Sequence, residues 1–183
     1  MDPALMKVSE TVYDGKLVKV QRSFDRDSPE RFLEIVKHPG AAAVVALTDA
    51  GRLLLVSQYR EATGGVMLEI PAGKLEPGER PEVCAHRELE EETGYRAGRL
   101  EELCSMFMSP GYCDEKIHIF AATGLEHSVA SPDDDEDVTP VEMELDEALR
   151  MIDDGRIQDA KTVAGILEFV RKKKWSLTRG EMG

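Results

Sequence analysis

Glu88, Glu91 and Glu92 stand at positions i, i+3 and i+4 of the stretch PEVCAHRELEEETG, residues 81–94. On a helix those three carboxylates share one face, while Glu90 points elsewhere. A helix C-terminus already carries partial negative charge, so each carboxylate in the last turn is unfavourable by roughly 0.3–1 kcal/mol. A cation among them offsets that repulsion. Hard divalent ions take oxygen ligands, and magnesium is usually held by one or two carboxylates together with water and substrate phosphates. Arg87, four residues before Glu91, is spaced for an ion pair that holds that carboxylate. A backbone carbonyl near Ala72, in the glycine-bracketed stretch before the helix, is within reach of the same ion. Taken alone, the acidic cluster fits a solvated helix face equally well.

The elements that must position these groups follow from pattern. Pro81 suits a first helical turn, Ala85 and Leu89 form an i, i+4 apolar pair, and Gly94 is a ready C-cap, so residues 81–92 read as a helix. Ahead of it, SETVYDG and KLVKVQRS flank a DG turn as a hairpin, and RFLEIVKH follows as a strand. AAAVVALT and RLLLVSQYR, joined by DAGR, form a second hairpin, and VMLEI is a further short strand. Gly73 and Gly78 bracket a loop into the helix. After it come strands in LEELCSMFM, KIHIFAAT and VTPVEMEL, with PDDDED a loop by composition, then helices in LDEALRMIDDG and DAKTVAGILEFVRKKK. Mixed strands with a few helices predict an α/β fold, a sheet packed between helices.

Composition sets the outer limits. The chain has 183 residues, 42% of them hydrophobic, enough for one domain with a real core. No apolar run approaches a membrane span and the N-terminus lacks the pattern of a signal peptide, so a soluble, cytoplasmic protein with no membrane partner is expected. A net charge of −13 opposes nucleic-acid binding, because no basic excess displaces counterions. An anionic substrate therefore needs bound cations or placed arginines. Cys84, Cys104 and Cys113 lack the spacing of a zinc site or thiol pair and are expected to be reduced. His38 and His118 read as packing residues, and Phe24, Phe32 and Tyr13 are open candidates for stacking on a base.

Gly73, Glu79, Arg87, Glu88, Leu89, Glu91, Glu92 and Gly94 match the pattern GX5EX7REUXEEXGU, with U a bulky apolar residue; Tyr95 departs from the aliphatic final position. The chain thus resembles the Nudix hydrolase family. RFLEIVKHPGAAAVVAL, VSQYR, MLEIPAGKLEPGE, SPGYCDEKIHIF and DAKT, with Pro110 sixteen residues after Gly94, look like its bacterial ADP-ribose pyrophosphatase branch. The resemblance implies a Nudix-type α/β/α sandwich with a mixed β-sheet over residues 39–183. It implies an N-terminal β segment over residues 1–38 that is exchanged in a homodimer. It also implies hydrolysis of ADP-ribose to AMP and ribose 5-phosphate with Mg2+, for which Mn2+ substitutes. Another nucleotide sugar, GDP-mannose or an ADP-sugar, is the alternative substrate, and a non-catalytic nucleotide-binding regulator is the reading from a different class.

Carried over residue by residue, the resemblance makes Glu88, Glu92 and the Ala72 carbonyl the main metal ligands, with Glu91 assisting. Glu136, in the acidic loop, is a further ligand and the catalytic carboxylate, with Asp134 second to it; Arg87 belongs to the catalytic set. Arg60 is expected on the phosphate side, where a planar guanidinium pairs with two oxygens. Glu34 matches a position that meets the adenine amino group, Arg31 a ribose or phosphate contact, and Gly111 lies in the substrate-contacting SPGYCDE stretch.

Overall fold

The computed structural model describes residues 7–16, 18–130 and 137–180, the stretch 174–180 by its backbone alone. The chain divides into two compact units, Met1–Gly40 with Met106–Lys116, and Ala41–Ser105 with Ile117–Gly183.

In the first unit, β1 (Lys7–Asp14), β2 (Lys19–Asp25) and β3 (Ser28–Lys37) form an antiparallel sheet in the order β1-β2-β3. The expected hairpin is β1 and β2, its turn closed by the Gly15 N–H donating to the Val18 carbonyl at 3.0 Å. Register sets Glu10, Arg22 and Glu34 side by side across the three strands. Arg22 accordingly bonds Glu34 at 3.3 Å, faces Glu10 at 3.7 Å, and lies 4.1 Å over the Phe32 ring. Beyond β3, the Val36 amide donates to the Tyr112 carbonyl at 2.7 Å and the Asp114 amide to the Val36 carbonyl at 3.1 Å. The SPGYCDE stretch is thereby tied to the end of β3. Tyr13, Phe32, Leu33, Phe107 and Tyr112 are exposed on this unit.

The second unit holds β4 (Ala41–Leu47), β5 (Arg52–Arg60), β6 (Gly65–Glu69), β7 (Ala72–Lys74), α1 (Pro81–Thr93), β8 (Tyr95–Phe107), β9 (Lys116–His127), β10 (Val138–Glu144), α2 (Leu145–Asp153) and α3 (Ala160–Gly180), the outer ends of β8 and β9 belonging to the first. Its sheet runs β10-β5-β4-β9-β8, with β6 added to β5 and β7 to β4. β4 is antiparallel to β5 and β7 but parallel to β9, so the sheet is mixed. Because side chains alternate along a strand, β4 serves both faces. Ala42, Val44 and Ala46, with Leu54, Phe120 and Ala122, pack against Cys84, Ala85 and Leu89 of α1. Leu89 is fully buried there, worth about 1.5–3 kcal/mol relative to exposure. Val45, Ile119 and Ile70 meet α3 at Gly165, where an added Cβ would lie 3.1–3.2 Å from all three. Helices thus cover both faces of a mixed sheet, as the sequence predicted.

One stretch differs from expectation in kind, and β8 begins earlier than the run that suggested it. Ala72–Lys74, read as loop, is a short strand paired residue for residue with Ala41–Ala43. No helix among the described residues is long and apolar enough to cross a membrane.

Candidate active site

The site begins with the end of α1. Pro81 fills its first turn, and Gly94 at φ 72° caps it, its N–H donating to the Glu90 carbonyl. A left-handed residue there favours glycine, and the cap satisfies a carbonyl that the helix itself leaves open. Glu88 and Glu92 lie on the buried face, 7% and 4% exposed. Glu90 turns the other way, to Arg96 at 2.7 Å and the Ser128 hydroxyl at 2.6 Å.

Arg87 answers the charge problem of this helix. Its guanidinium donates to Glu79 at 3.1 and 3.2 Å, Glu88 at 2.7 Å, Glu91 at 2.9 Å and the Lys74 carbonyl at 3.2 Å. Hydrogen bonding to Glu79 dominates the upward shift of its pKa, against which burial works, and the Glu88 and Glu91 carboxylates add to it. The same arginine holds Glu79 below the usual carboxylate range. One cation thus faces three carboxylates, so negative charge is left over.

β7 brings backbone against those carboxylates. An added Cβ at Gly73 would fall 1.7 Å from Glu88 Oε1, so any side chain there would displace the Glu88 carboxylate from this strand. The Ala72 N–H donates to Glu92 Oε2 at 2.9 Å. Cys84 packs under the same turn, its Sγ 3.5 Å from the Lys74 carbonyl oxygen. Burial, followed by the Glu88 and Glu79 charges, pushes its thiol up to about 12.

A second ion-pair group lies alongside. Glu69, at the end of β6, accepts two bonds from Arg60, both 2.7 Å, and one from Lys161, which also pairs with Asp159 at 3.0 Å. Burial alone would raise the Glu69 pKa, but the Arg60 hydrogen bonds and the Lys161 charge outweigh it and bring it down to about 2. Arg60 is held cationic chiefly by Glu69, with the Glu92 and Asp159 charges adding to that effect. Glu92 therefore lies within the electrostatic reach of Arg60.

Of the sequence-derived candidates, Ala72, Arg87, Glu88, Glu91, Glu92 and Arg60 all belong to this second unit. Arg60 has its Nε and Nη2 on Glu69. Glu34, Arg31 and Gly111 belong to the first unit, where Glu34 is paired with Arg22 and Arg31 is exposed. Glu136 and Asp134 lie outside the described residues. Sequence reasoning missed Glu69, Lys161 and Thr162. The available signal was Asp159 three residues before Thr162, the spacing of a helix N-cap, and the Thr162 amide does donate to Asp159 Oδ2 at 2.9 Å.

No group of three or more His, Cys, Asp or Glu side chains is gathered as a ready ligand cage among the described residues. Glu88 and Glu91 share Arg87 instead. The donor set nevertheless fits a hard divalent cation. It is all oxygen, two of its carboxylates are nearly buried, and both meet the Ala72–Gly73 backbone.

Known proteins resemble this chain along most of its length. The NUDIX domain family matches residues 37–165. The methanol dehydrogenase activator of Bacillus methanolicus is 46% identical over 163 residues, covering 86% of this chain and 88% of that protein. The ADP-ribose pyrophosphatase of Bacillus subtilis (strain 168) is 47% identical over 135 residues, 73% of each. A crystal structure described as an ADP compounds hydrolase superposes with a TM-score of 0.79 over 94% of each chain, at 26% identity.

Proposed function

The chain belongs to the NUDIX family and is a Nudix pyrophosphohydrolase, and from that premise we propose that it hydrolyses ADP-ribose to AMP and ribose 5-phosphate with the help of Mg2+, or Mn2+ in its place. The observation that carries the reading is the pair of nearly buried carboxylates, Glu88 and Glu92, set against the Ala72–Gly73 backbone with Arg60 close enough to feel the charge of Glu92. The 47% identity with an ADP-ribose pyrophosphatase supports this substrate over other nucleotide sugars, GDP-mannose among them.

Glu88, Glu92 and the Ala72 carbonyl would hold the metal, with Glu91 and Glu136 assisting. When bound, a divalent ion reverses the local sign for an anionic pyrophosphate, polarises phosphoryl oxygens and lowers the pKa of bound water. The remaining work belongs to the chain. Arg87 fixes the directions of Glu88 and Glu91, as its bonds to both require. Arg60 offers its guanidinium to phosphate oxygens. Glu136 takes or orients the proton of the attacking water, with Asp134 secondary. Glu34 for the adenine amino group, Arg31 for ribose or phosphate, and Gly111 are the proposed substrate contacts.

The protein acts as a cytoplasmic homodimer in which residues 1–38 are exchanged, and no nucleic acid or membrane is a partner. Support for the dimer comes from the exposed apolar side chains of the three-stranded sheet, Leu33 at 63% among them, a surface that favours association. A second reading has its own support, the 46% identity with an activator of another enzyme. There the same site would serve a regulatory role.

The test is a substrate panel. AMP release from ADP-ribose should exceed release of nucleoside monophosphate from GDP-mannose and ADP-sugars, stop in excess EDTA and return with Mg2+ or Mn2+. Preference for another nucleotide sugar, or undiminished turnover in EDTA, would refute the reading.

A further inference from the structure

Four consecutive residues, Glu69 to Ala72, are tied between them to β5, α3, β4 and α1. The Glu69 side chain is gripped by Arg60 of β5 and by Lys161 of α3. The Ile70 amide donates to the Thr162 hydroxyl oxygen at 2.9 Å. The Pro71 carbonyl accepts from the Val44 amide of β4 at 2.9 Å, and the Ala72 amide is held by Glu92 of α1. On the α3 side everything converges on Asp159. It pairs with Lys161 at 3.0 Å and accepts both from the Thr162 amide and, at 2.6 Å, from the Thr162 hydroxyl. Thr162 is fully buried, and the Lys161 side chain is only 12% exposed.

Two cations and two carboxylates balance in this group. Glu69 has both oxygens on Arg60, which orients that guanidinium with its Nε and Nη2 edge inward. The Nη1 side is the one left to meet a phosphate. Without Lys161, the buried Glu69 and the partly exposed Asp159 would share Arg60 as counter-ion. A buried charge deprived of its partner is strongly unfavourable, so the group would rearrange and draw Arg60 with it.

We propose that Lys161 is a positioning residue for hydrolysis. Through Glu69 it sets the orientation in which Arg60 meets the pyrophosphate, and through Asp159 and Thr162 it helps fix the segment that presents Ala72 to Glu92. The inference rests on the hydrolytic reading above for its kinetic part. It does not make Lys161 a contact of the substrate.

The experiment compares Lys161→Met, Lys161→Arg, Arg60→Met and the double variant Lys161→Met/Arg60→Met in the full chain. Lys161→Met is expected to raise KM for ADP-ribose about tenfold with a smaller change in kcat, the mark of lost phosphate binding rather than lost chemistry. In the Arg60→Met background the same substitution should add little, because residues acting through one another are not additive. Lys161→Arg should restore most of the wild-type KM. A merely structural lysine would lower thermal stability and the fraction of active enzyme, leaving KM unchanged and effects additive; that result overturns the proposal. Amide exchange at Ile70 and Ala72 provides a readout independent of turnover. It should accelerate in Lys161→Met and recover in Lys161→Arg, and unchanged exchange would overturn the proposal even if the enzyme acts on some other substrate. A wild-type protein inactive on ADP-ribose but showing accelerated exchange in Lys161→Met would instead sink the substrate reading and leave the positioning intact.

Discussion

Replacing Gly73 by alanine tests whether the contact between β7 and α1 exists for chemistry or for packing. The new Cβ would lie 1.7 Å from Glu88 Oε1, 1.9 Å from Cδ and 2.4 Å from Oε2. Ordinary C···O contact begins at about 3.3 Å, so the carboxylate must retreat by about 1.6 Å. The clash is with the end of a flexible side chain, and Gly73 lies in a strand without positive φ, so the backbone has no reason to break. A misplacement of about 1 Å at a reacting centre costs on the order of 100-fold in rate. Gly73→Ala is therefore expected to fold, with a modestly lowered Tm from disturbance of the Arg87–Glu88 pair, and to lose at least about 100-fold in kcat/KM. Calorimetric titration with Mn2+ should show weakened binding in parallel. Wild-type kcat/KM and Mn2+ affinity in a folded Gly73→Ala protein would refute the assignment of Glu88 as a metal ligand.

Glu92→Gln keeps an oxygen for the Ala72 amide but removes the ligand charge, so steady-state assays should show activity reduced by orders of magnitude with the fold retained by circular dichroism. Glu69 has a folded pKa of about 2 against an ordinary 4.5, a depressed value, so its contribution to stability is present above about pH 4.5 and is lost as pH falls toward 2. The Tm gap between wild type and Glu69→Gln should accordingly be largest near neutral pH and shrink between about pH 5 and 2; a gap independent of pH would contradict the ion-pair account. Glu136→Gln should depress kcat far more than substrate affinity, and more than Asp134→Asn does; the reverse order would exchange the two roles. Light scattering should give a homodimer, and a fully active monomer at assay concentration would dismiss the exchanged segment.

Much of the fold was legible because local signals agreed. Pro81, Ala85, Leu89 and Gly94 marked α1 to within a residue, and the paired runs around DAGR marked β4 and β5. What escaped was set by distant partners. Ala72–Lys74 has no β-branched residue and becomes strand only because Ala41–Ala43 offers an edge. β8 begins at Tyr95, several residues before the run LEELCSMFM that suggested it, through a polar and glycine-containing stretch with little strand character. Within the site, the Arg87–Glu91 pair was readable at i, i+4, whereas Glu69 and Lys161 are 92 residues apart and meet only once α3 docks. The Arg22–Glu34 pair depended likewise on strand register, which one strand's pattern does not specify.

The four-way fixing of Glu69 to Ala72 also constrains how the length of this chain can drift. One residue inserted or deleted there would slide Ala72 by about 3.3 Å and turn every following side chain of β7 to the opposite face. No compensating substitution restores four partners at once. The turn at Glu61–Gly64 carries no comparable ties, being exposed and closed chiefly by backbone bonds to Arg60. Related sequences should therefore vary in length around residues 61–64 while keeping the spacing from Glu69 to Gly73 invariant, and a homologue with a gap inside that interval should have lost the site rather than adapted it.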